Sequence, residues 1–410
     1  MASTQATPIP RGATRSEPRR GLSARIVLGR VFAPVPSEFV LIVSTALLLT
    51  GFGLTMVLSA TTAASTAIGA DPYGALVKQA IFAAIGLPLM FIASRMPVRF
   101  WKRMAWPALI FAILFQLTVF TPLGISNDGN TGWIRIFGLQ AQPAEFLKLA
   151  LTVWLGAVLA RKQPLLTQAR HAFIPVIPVT LIVMAAVMAG KDLGTTMILA
   201  LIFLACLFFS GMRLRLFVLP ILLGAAGLAF FVVTSPNRMH RIASFTDSSA
   251  SCLANYYGTC YQTLHGIWGL ASGGVFGLGL GNSKQKYDWL PAAANDYIFA
   301  IVGEELGLIG CIVALALFTL FAVGSFHIIR KTTDPFVRIV AGGITIWIVG
   351  EALINIAVVL KLFPVMGVPL PFMSQGGTSL VAVLVGCGIL LSFARTLPER
   401  TQPGSGTLAR

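Results

Sequence analysis

Apolar stretches of membrane-spanning length recur at about 38–60, 75–94, 104–123, 143–160, 172–190, 193–211, 214–234, 296–326, 336–360 and 376–394. A transmembrane helix needs about 20 such residues, so the pattern predicts ten membrane helices. Pro107 lies in the third stretch, and Pro175 and Pro178 lie in the fifth; there proline kinks a membrane helix more readily than it excludes one. Only Gly190, Lys191 and Asp192 separate the fifth stretch from the sixth. The polar intervals are short except for residues 235–295, the one loop large enough to hold a site of its own. The expected fold is an all-α polytopic membrane protein, with about ten transmembrane helices and one large extracytoplasmic loop before the eighth.

Composition agrees. The chain has 410 residues, 56% hydrophobic and 11% charged, against roughly 25% charged in soluble domains. That excludes a soluble enzyme and leaves no room for a second sizeable soluble domain. The formal net charge of +16 suggests nucleic acid until the charges are placed. With the amino terminus inside, twenty-one of the thirty basic residues fall on the cytoplasmic side and seven on the other, with Lys78 and Lys148 inside spans. The excess of basic residues marks the cytoplasmic side, so both termini are expected there. The basic residues have no aromatic interleaving, which argues against nucleic acid. Residues 1–37, rich in Arg, Pro, Ser and Thr, read as a disordered basic cytoplasmic tail. The membrane domain runs over 38–395, and 396–410 form a second cytoplasmic tail.

With fourteen acidic residues, each can be weighed. Ionisable groups in or at the ends of spans are costly and usually functional. Glu145 and Lys148, three apart on the fourth helix, share a face, either as an ion pair in the bundle or as a polar floor for a charged substrate group. Asp192 opens the sixth span, as a helix cap or as part of that polar cluster. Asp296 opens the eighth and is the most informative of the acids, with helix capping as the alternative to a functional role. Glu304 and Glu305 lie about 12 Å deeper at 1.5 Å per residue, out of reach of Asp296 unless the helix bends. Glu351 and Asn355, four apart on the ninth helix, suggest a mutual hydrogen bond. The glycine-rich run from Ser272 to Lys284 lacks P-loop spacing and follows no strand, so it argues for close backbone approach rather than nucleotide binding. Lys284 and Lys286, just after it, are placed to meet an anionic lipid headgroup. Cys252 and Cys260, eight apart on the outer side, favour a disulfide over two unpaired thiols. The four histidines have no ligand spacing.

Several motifs together carry a family resemblance: Asn130-Thr-Gly-Trp-Ile134, Gln142-Pro-Ala-Glu-Phe-Leu-Lys148, Asp192-Leu-Gly-Thr195, Arg238-Met-His-Arg241 and Gly279-Leu-Gly-Asn-Ser-Lys-Gln-Lys286. To these are added Asp296-Tyr-Ile-Phe-Ala-Ile-Val-Gly-Glu-Glu-Leu-Gly307 and the block Pro364-Val-Met-Gly-Val-Pro-Leu-Pro-Phe-Met-Ser-Gln-Gly-Gly-Thr-Ser379. Over residues 38–395 the chain resembles the SEDS family of FtsW and RodA. The resemblance implies a peptidoglycan glycosyltransferase that polymerises lipid II at the outer face of the bacterial cytoplasmic membrane, with undecaprenyl pyrophosphate as leaving group. It assigns Asp296 as general base. It places Glu145 and Lys148 on a cavity for the lipid-linked phosphates, with Asp192, Arg238, Arg241, Lys284 and Lys286 as further substrate contacts. A divalent cation, magnesium or manganese, is commonly associated with such enzymes, though no ligand set can be read here; no nucleotide is implied. The implied partners are a class B penicillin-binding protein, the transpeptidase that cross-links the strands, and other divisome proteins. The Met56-Val-Leu-Ser-Ala60 run and the amino-terminal tail resemble the division branch more than the elongation branch, and so imply a septal location. Three positions depart from the family pattern: Ala292 and Ala294, where many relatives have Glu and His, and Gly132, where Arg is common. The alternatives are a lipid II flippase using Glu145, Lys148 and Glu351, an elongation polymerase, and a scaffold that leaves Asp296 dispensable. A transporter is disfavoured by the absence of internal repeats and paired broken helices.

Overall fold

The computed structural model describes residues 36–397 apart from 68, 70, 128–129, 137, 166–172, 235, 248, 255 and 259. The two expected tails therefore lie outside the described residues, save for 36–37 and 396–397. Each of the ten expected spans is a helix: α1 (Ser37–Ala67), α2 (Gly74–Arg95), α3 (Val98–Leu117), α4 (Pro143–Arg161), α5 (Val176–Ala189), α6 (Leu193–Phe209), α7 (Val218–Val233), and then α11 (Ile298–Lys331), α12 (Pro335–Val359) and α13 (Gly377–Ala394). Eight are long and apolar enough to cross a membrane, α7 together with the 3-10 turn Leu214–Phe217 that precedes it, while α5 and α6 have 14 and 17 residues. The long loop holds three shorter helices, α8 (Pro236–Thr246), α9 (Ser249–Ala254) and α10 (Tyr261–Gly273). Local chemistry starts several helices. Pro143 stands in the first turn of α4, where its missing N–H costs nothing. Asp192 caps α6 through the Thr195 N–H, and Asp334 caps α12 through the Phe336 N–H.

The structure also holds an element that the hydropathy does not reveal. After α3 the chain forms an antiparallel sheet of β1 (Gly124–Asn127), β2 (Asn130–Ile136) and β3 (Leu139–Ala141), in that spatial order. The Thr131 N–H donates to the Gly190 carbonyl, so the sheet is pinned over the α5–α6 turn.

The bundle is centred on α4, α12 and α13, whose residues are mostly buried. Lipid tails are as apolar as leucine, so helices associate there through close packing at small residues. A Cβ on Gly156 of α4 would lie 2.2 Å from Val340 of α12, and one on Gly343 would meet Thr152 of α4 and Cys206 of α6. At this contact Lys148 lies between two carboxylates, 2.9 Å from Glu145 and 3.0 Å from Glu351, all essentially sealed from solvent. Trp347 Nε1 donates to Glu351 at 2.6 Å. The expected Glu351–Asn355 hydrogen bond is thus replaced: Glu351 is taken by Lys148 and Trp347, and Asn355 is engaged elsewhere. By contrast α7 buries no residue at all.

α11 is interrupted at Gly307, whose φ of 65° is left-handed. The backbone groups exposed by that break are taken up by the glycine-rich run. The Leu278 and Gly279 N–H groups donate to the Glu304 and Glu305 carbonyls, and the Leu308 N–H to Gly274. A Cβ on Gly307 would sit 2.4 Å from the Gly277 nitrogen, so the glycines serve the close backbone approach expected of them. The carboxylates of Glu304 and Glu305, both fully buried, hold the chain that follows. Glu304 accepts from the Ser283 hydroxyl and from the Lys284 and Gln285 N–H groups. Glu305 accepts from Ser59 and from Lys286 Nζ at 3.1 Å.

Loops alternate between the two ends of the bundle. At one end Lys102 pairs with Asp334, Lys331 with Glu38, and Ser392 donates to the Met96 carbonyl. At the other, the sheet, the α5–α6 turn, the long loop and residues 364–376 converge on a single cavity.

Candidate active site

Asp296 sits just before α11 on a backbone fixed by its neighbours. Ala292 adopts a left-handed φ of 53°, and its carbonyl accepts from the Asn295 and Tyr297 N–H groups. Three successive carbonyls are then tied to distant elements. The Gln375 N–H donates to Ala294 at 2.9 Å, Ser374 Oγ to Asn295 at 2.5 Å, and Asn355 Nδ2 to Asp296 at 2.8 Å. Asn355 also donates to the Val368 carbonyl at 2.8 Å, so one amide clamps the Asp296 segment to the Pro364–Ser379 block. On the other side Tyr297 is buried against Gly266 of α10, where a Cβ would be 2.5 Å from the ring. With its backbone engaged, Asp296 turns its carboxylate to the cavity.

That cavity has a volume of about 1440 Å³, and its walls carry five basic side chains, Lys78, Arg135, Lys191, Arg238 and Arg241, against two acidic ones, Asp192 and Asp296. A Cβ built on Gly367 would lie 3.6 Å from both Arg241 Nη1 and Asp296 Oδ2, so those two groups converge over that glycine. Burial pushes the Asp296 carboxyl up from 3.8 to about 6, against the opposing pull of Arg241 and with a further push from Asp192. Asp192 itself is held by the Thr195 N–H at 2.9 Å, the Thr195 hydroxyl at 2.8 Å and Gln142 Nε2 at 3.0 Å. Arg238 donates to the Lys191 and Phe231 carbonyls, which fixes its guanidinium at the mouth of α7.

Of the residues expected at the site, Asp192, Arg238, Arg241 and Asp296 therefore share one cavity. Four others do not line it. Glu145 and Lys148 are closed into the ion triad with Glu351, which corrects their expected place on the cavity wall: a cation between two carboxylates is satisfied without substrate. Lys286 is buried by Ser59, Glu305 and the Gly281 carbonyl, so it cannot meet a lipid headgroup. Lys284 is exposed outside the cavity, on the chain held by Glu304. Sequence reasoning missed Lys78, Arg135 and Lys191. A lone lysine in a span is itself a signal, but the place of Arg135 on the cavity wall depends on the unread sheet. Gly132 is buried close against Asn130 and Asp192: a Cβ there would be 3.3 and 3.5 Å from their oxygens.

Cys252 and Cys260 are joined in a disulfide. They and Asp247 form the one clustered set of acid and thiol groups among the described residues, and sulfurs in a disulfide are not metal ligands. On the cavity wall Asp192 is taken up by three donors and Asp296 faces Arg241. These side chains do not make a ligand set for a divalent cation.

The FtsW/RodA/SpoVE cell cycle protein family has a model that matches residues 39–398. The probable peptidoglycan glycosyltransferase FtsW of Mycobacterium tuberculosis is 36% identical over 364 residues, 88% of this chain and 69% of that protein. The stage V sporulation protein E of Bacillus subtilis is 35% identical over 361 residues, 87% of this chain and 97% of its own. Among solved structures, a chain of a peptidoglycan synthase complex that coordinates polymerization and crosslinking superposes with a TM-score of 0.69 at 22% identity, over 86% of this chain and 96% of that one. The rod shape determining protein RodA of Thermus thermophilus does so with a TM-score of 0.63 at 23% identity, over 87% and 97%. These two show that the fold is shared.

Proposed function

This chain belongs to the FtsW/RodA/SpoVE family, and from that premise we propose that it polymerises lipid II at the outer face of the cytoplasmic membrane during cell division. It is a multi-pass membrane protein and a peptidoglycan glycosyltransferase. The observation that carries the reading is Asp296: a carboxylate fixed through its backbone at the wall of a basic cavity, with its pKa raised toward neutrality. Glycosyl transfer needs a base for the attacking hydroxyl and cationic stabilisation of the departing pyrophosphate. Asp296 takes the proton from the 4-hydroxyl of one GlcNAc as its oxygen attacks the anomeric carbon of MurNAc in a second lipid II. The bond from that carbon to the pyrophosphate oxygen breaks with its electron pair, and undecaprenyl pyrophosphate leaves. Arg238 and Arg241, with Lys78, Arg135 and Lys191 of the same cavity, meet the negative charge. Any magnesium or manganese would arrive on the phosphates of the substrate.

The flippase alternative loses its proposed path, because Glu145, Lys148 and Glu351 pair with one another inside the bundle and none of them lines the cavity. The excess of basic residues on one side supports cytoplasmic termini. Septal placement and a class B penicillin-binding protein, with the rest of the divisome, are the partners and site that a division polymerase requires. The test is purified protein with labelled lipid II. Wild type yields glycan strands, and Asp296→Asn lowers the rate by about 10² to 10⁴. Equal polymer from both proteins removes Asp296 as base; no polymer from wild type even with its transpeptidase removes the reading.

A further inference from the structure

The cavity accounts for the chemistry but not for a cluster of rings on the outer loop. Tyr256, Tyr257, Tyr261, His265, Trp268 and Trp289 are in mutual contact, with centroids 4.4 to 6.2 Å apart. Three pairs are close to parallel: Tyr257 with Tyr261 within 17°, Tyr256 with Trp268 within 20°, and His265 with Trp289 within 19°. These rings are held in place. His265 Nδ1 meets Gln285 Oε1 at 2.6 Å, and as that oxygen accepts, Nδ1 donates and Nε2 accepts from the Tyr256 hydroxyl at 2.6 Å. Tyr256 also packs on the Cys252–Cys260 disulfide. Yet much of the ring area is open: Tyr257 is 85% exposed, Trp289 51% and Trp268 38%.

Charge narrows what could cover such a surface. No Asp, Glu, Lys or Arg occurs between Asp247 and Lys284. Tyrosines and tryptophans that anchor a protein at a membrane interface are accompanied by basic residues for the headgroup phosphates; the stretch that carries five of the six rings has none, and beside the sixth, Trp289, stands Asp288, with Lys284 the one exposed lysine nearby. A neutral ligand with polarised C–H faces fits better, since the faces of aromatic rings are electronegative. Sugar rings have that character. The rings are also preorganised, which lowers the entropic cost of binding. Position points the same way. Gln262 of α10 donates to the Pro291 carbonyl at 3.0 Å, two residues beyond Trp289, and the Ala292 that follows lines the cavity. The same helix carries Gly266 under Tyr297, next to Asp296.

We propose that this stapled aromatic platform is a carbohydrate-binding site that holds the neutral sugar backbone of the growing glycan strand as it leaves the cavity. The proposal rests on the glycosyltransferase reading and deepens it. Its test uses chitohexaose, a neutral oligomer of β-1,4-linked GlcNAc, titrated calorimetrically into purified full-length protein in nanodiscs. Wild type and Asp296→Asn bind it equally. Tyr257→Ala and Trp289→Ala each weaken binding about tenfold, Trp289→Phe keeps most of it, and the alanine variants make shorter strands from lipid II. Unchanged chitohexaose affinity in both alanine variants overturns the site. If those variants instead lose thermal stability in the bilayer, or capture of a transpeptidase partner, the rings are an interface belt or a docking surface. The two readings fail separately: wild type that binds chitohexaose but makes no polymer refutes the enzyme, and an active polymerase indifferent to Tyr257 and Trp289 refutes the platform.

Discussion

At Asp296 the backbone and the side chain have separate tasks, and the separation fixes what substitution and pH should do. Burial raises its carboxyl to about 6, so the group is ionised at neutral pH yet a stronger base than an ordinary aspartate. Polymerisation should fall as pH drops through about 6, and an activity-against-pH series from 5 to 8 reads that limb directly. Stability runs the other way. The contribution of a carboxyl with a raised folded pKa is fully present below its unfolded value near 3.8 and is lost as pH rises through about 6. Asp296→Asn is therefore expected to melt no lower than wild type at pH 7.5. Asn355 behaves oppositely, since its amide serves two carbonyls at 2.8 Å. Asn355→Ala leaves both unsatisfied, at about 1–3 kcal/mol each, so melting temperature and turnover should drop together.

Among the elements, the break in α11 and the glycine-rich run form one unit, because each supplies the hydrogen bonds that the other lacks. Gly307→Ala would force a left-handed φ on a residue with a Cβ 2.4 Å from Gly277. We expect it to lower the yield of folded protein, measured by size exclusion in detergent, far more than Gly51→Ala, where a Cβ meets nothing within 4 Å. This scale also shows what the sequence could disclose. All ten expected spans follow from runs of apolar residues, and Asp192 takes the capping role that is one of its two open readings, whereas Asp334, which the sequence leaves as a plain surface acid, caps α12. The sheet does not, because its strands of four, seven and three residues are too short and too rich in Gly and Asn to alternate. The ties that place Asp296 are equally hidden. Asn355 lies 59 residues away and Ser374 lies 79 residues from Asn295, and no local period encodes a pairing of that range. Asp296 itself was legible as an acid at a helix entrance, and its role came from the family motif.

Across the whole molecule, charge is handled in two ways. At the cavity basic groups outnumber acids and await an anion, whereas inside the bundle Lys148 is matched to Glu145 and Glu351, the latter 203 positions away. That long-range partner is why the pair looked like a substrate floor when read along one helix. Lys148→Met strands two buried carboxylates and should cost about 3–5 kcal/mol. Thermal unfolding in detergent tests this, and restoring stability with the triple change Lys148→Met, Glu145→Gln and Glu351→Gln would show that the loss was electrostatic.

The bare α7 has one further consequence. It supplies Ala225, Leu228, Ala229, Phe231 and Val232 to the cavity wall while burying none of its residues in the bundle. Displacing it would cost far less packing than displacing α4, α12 or α13, so the wall it forms is the one held least by the bundle.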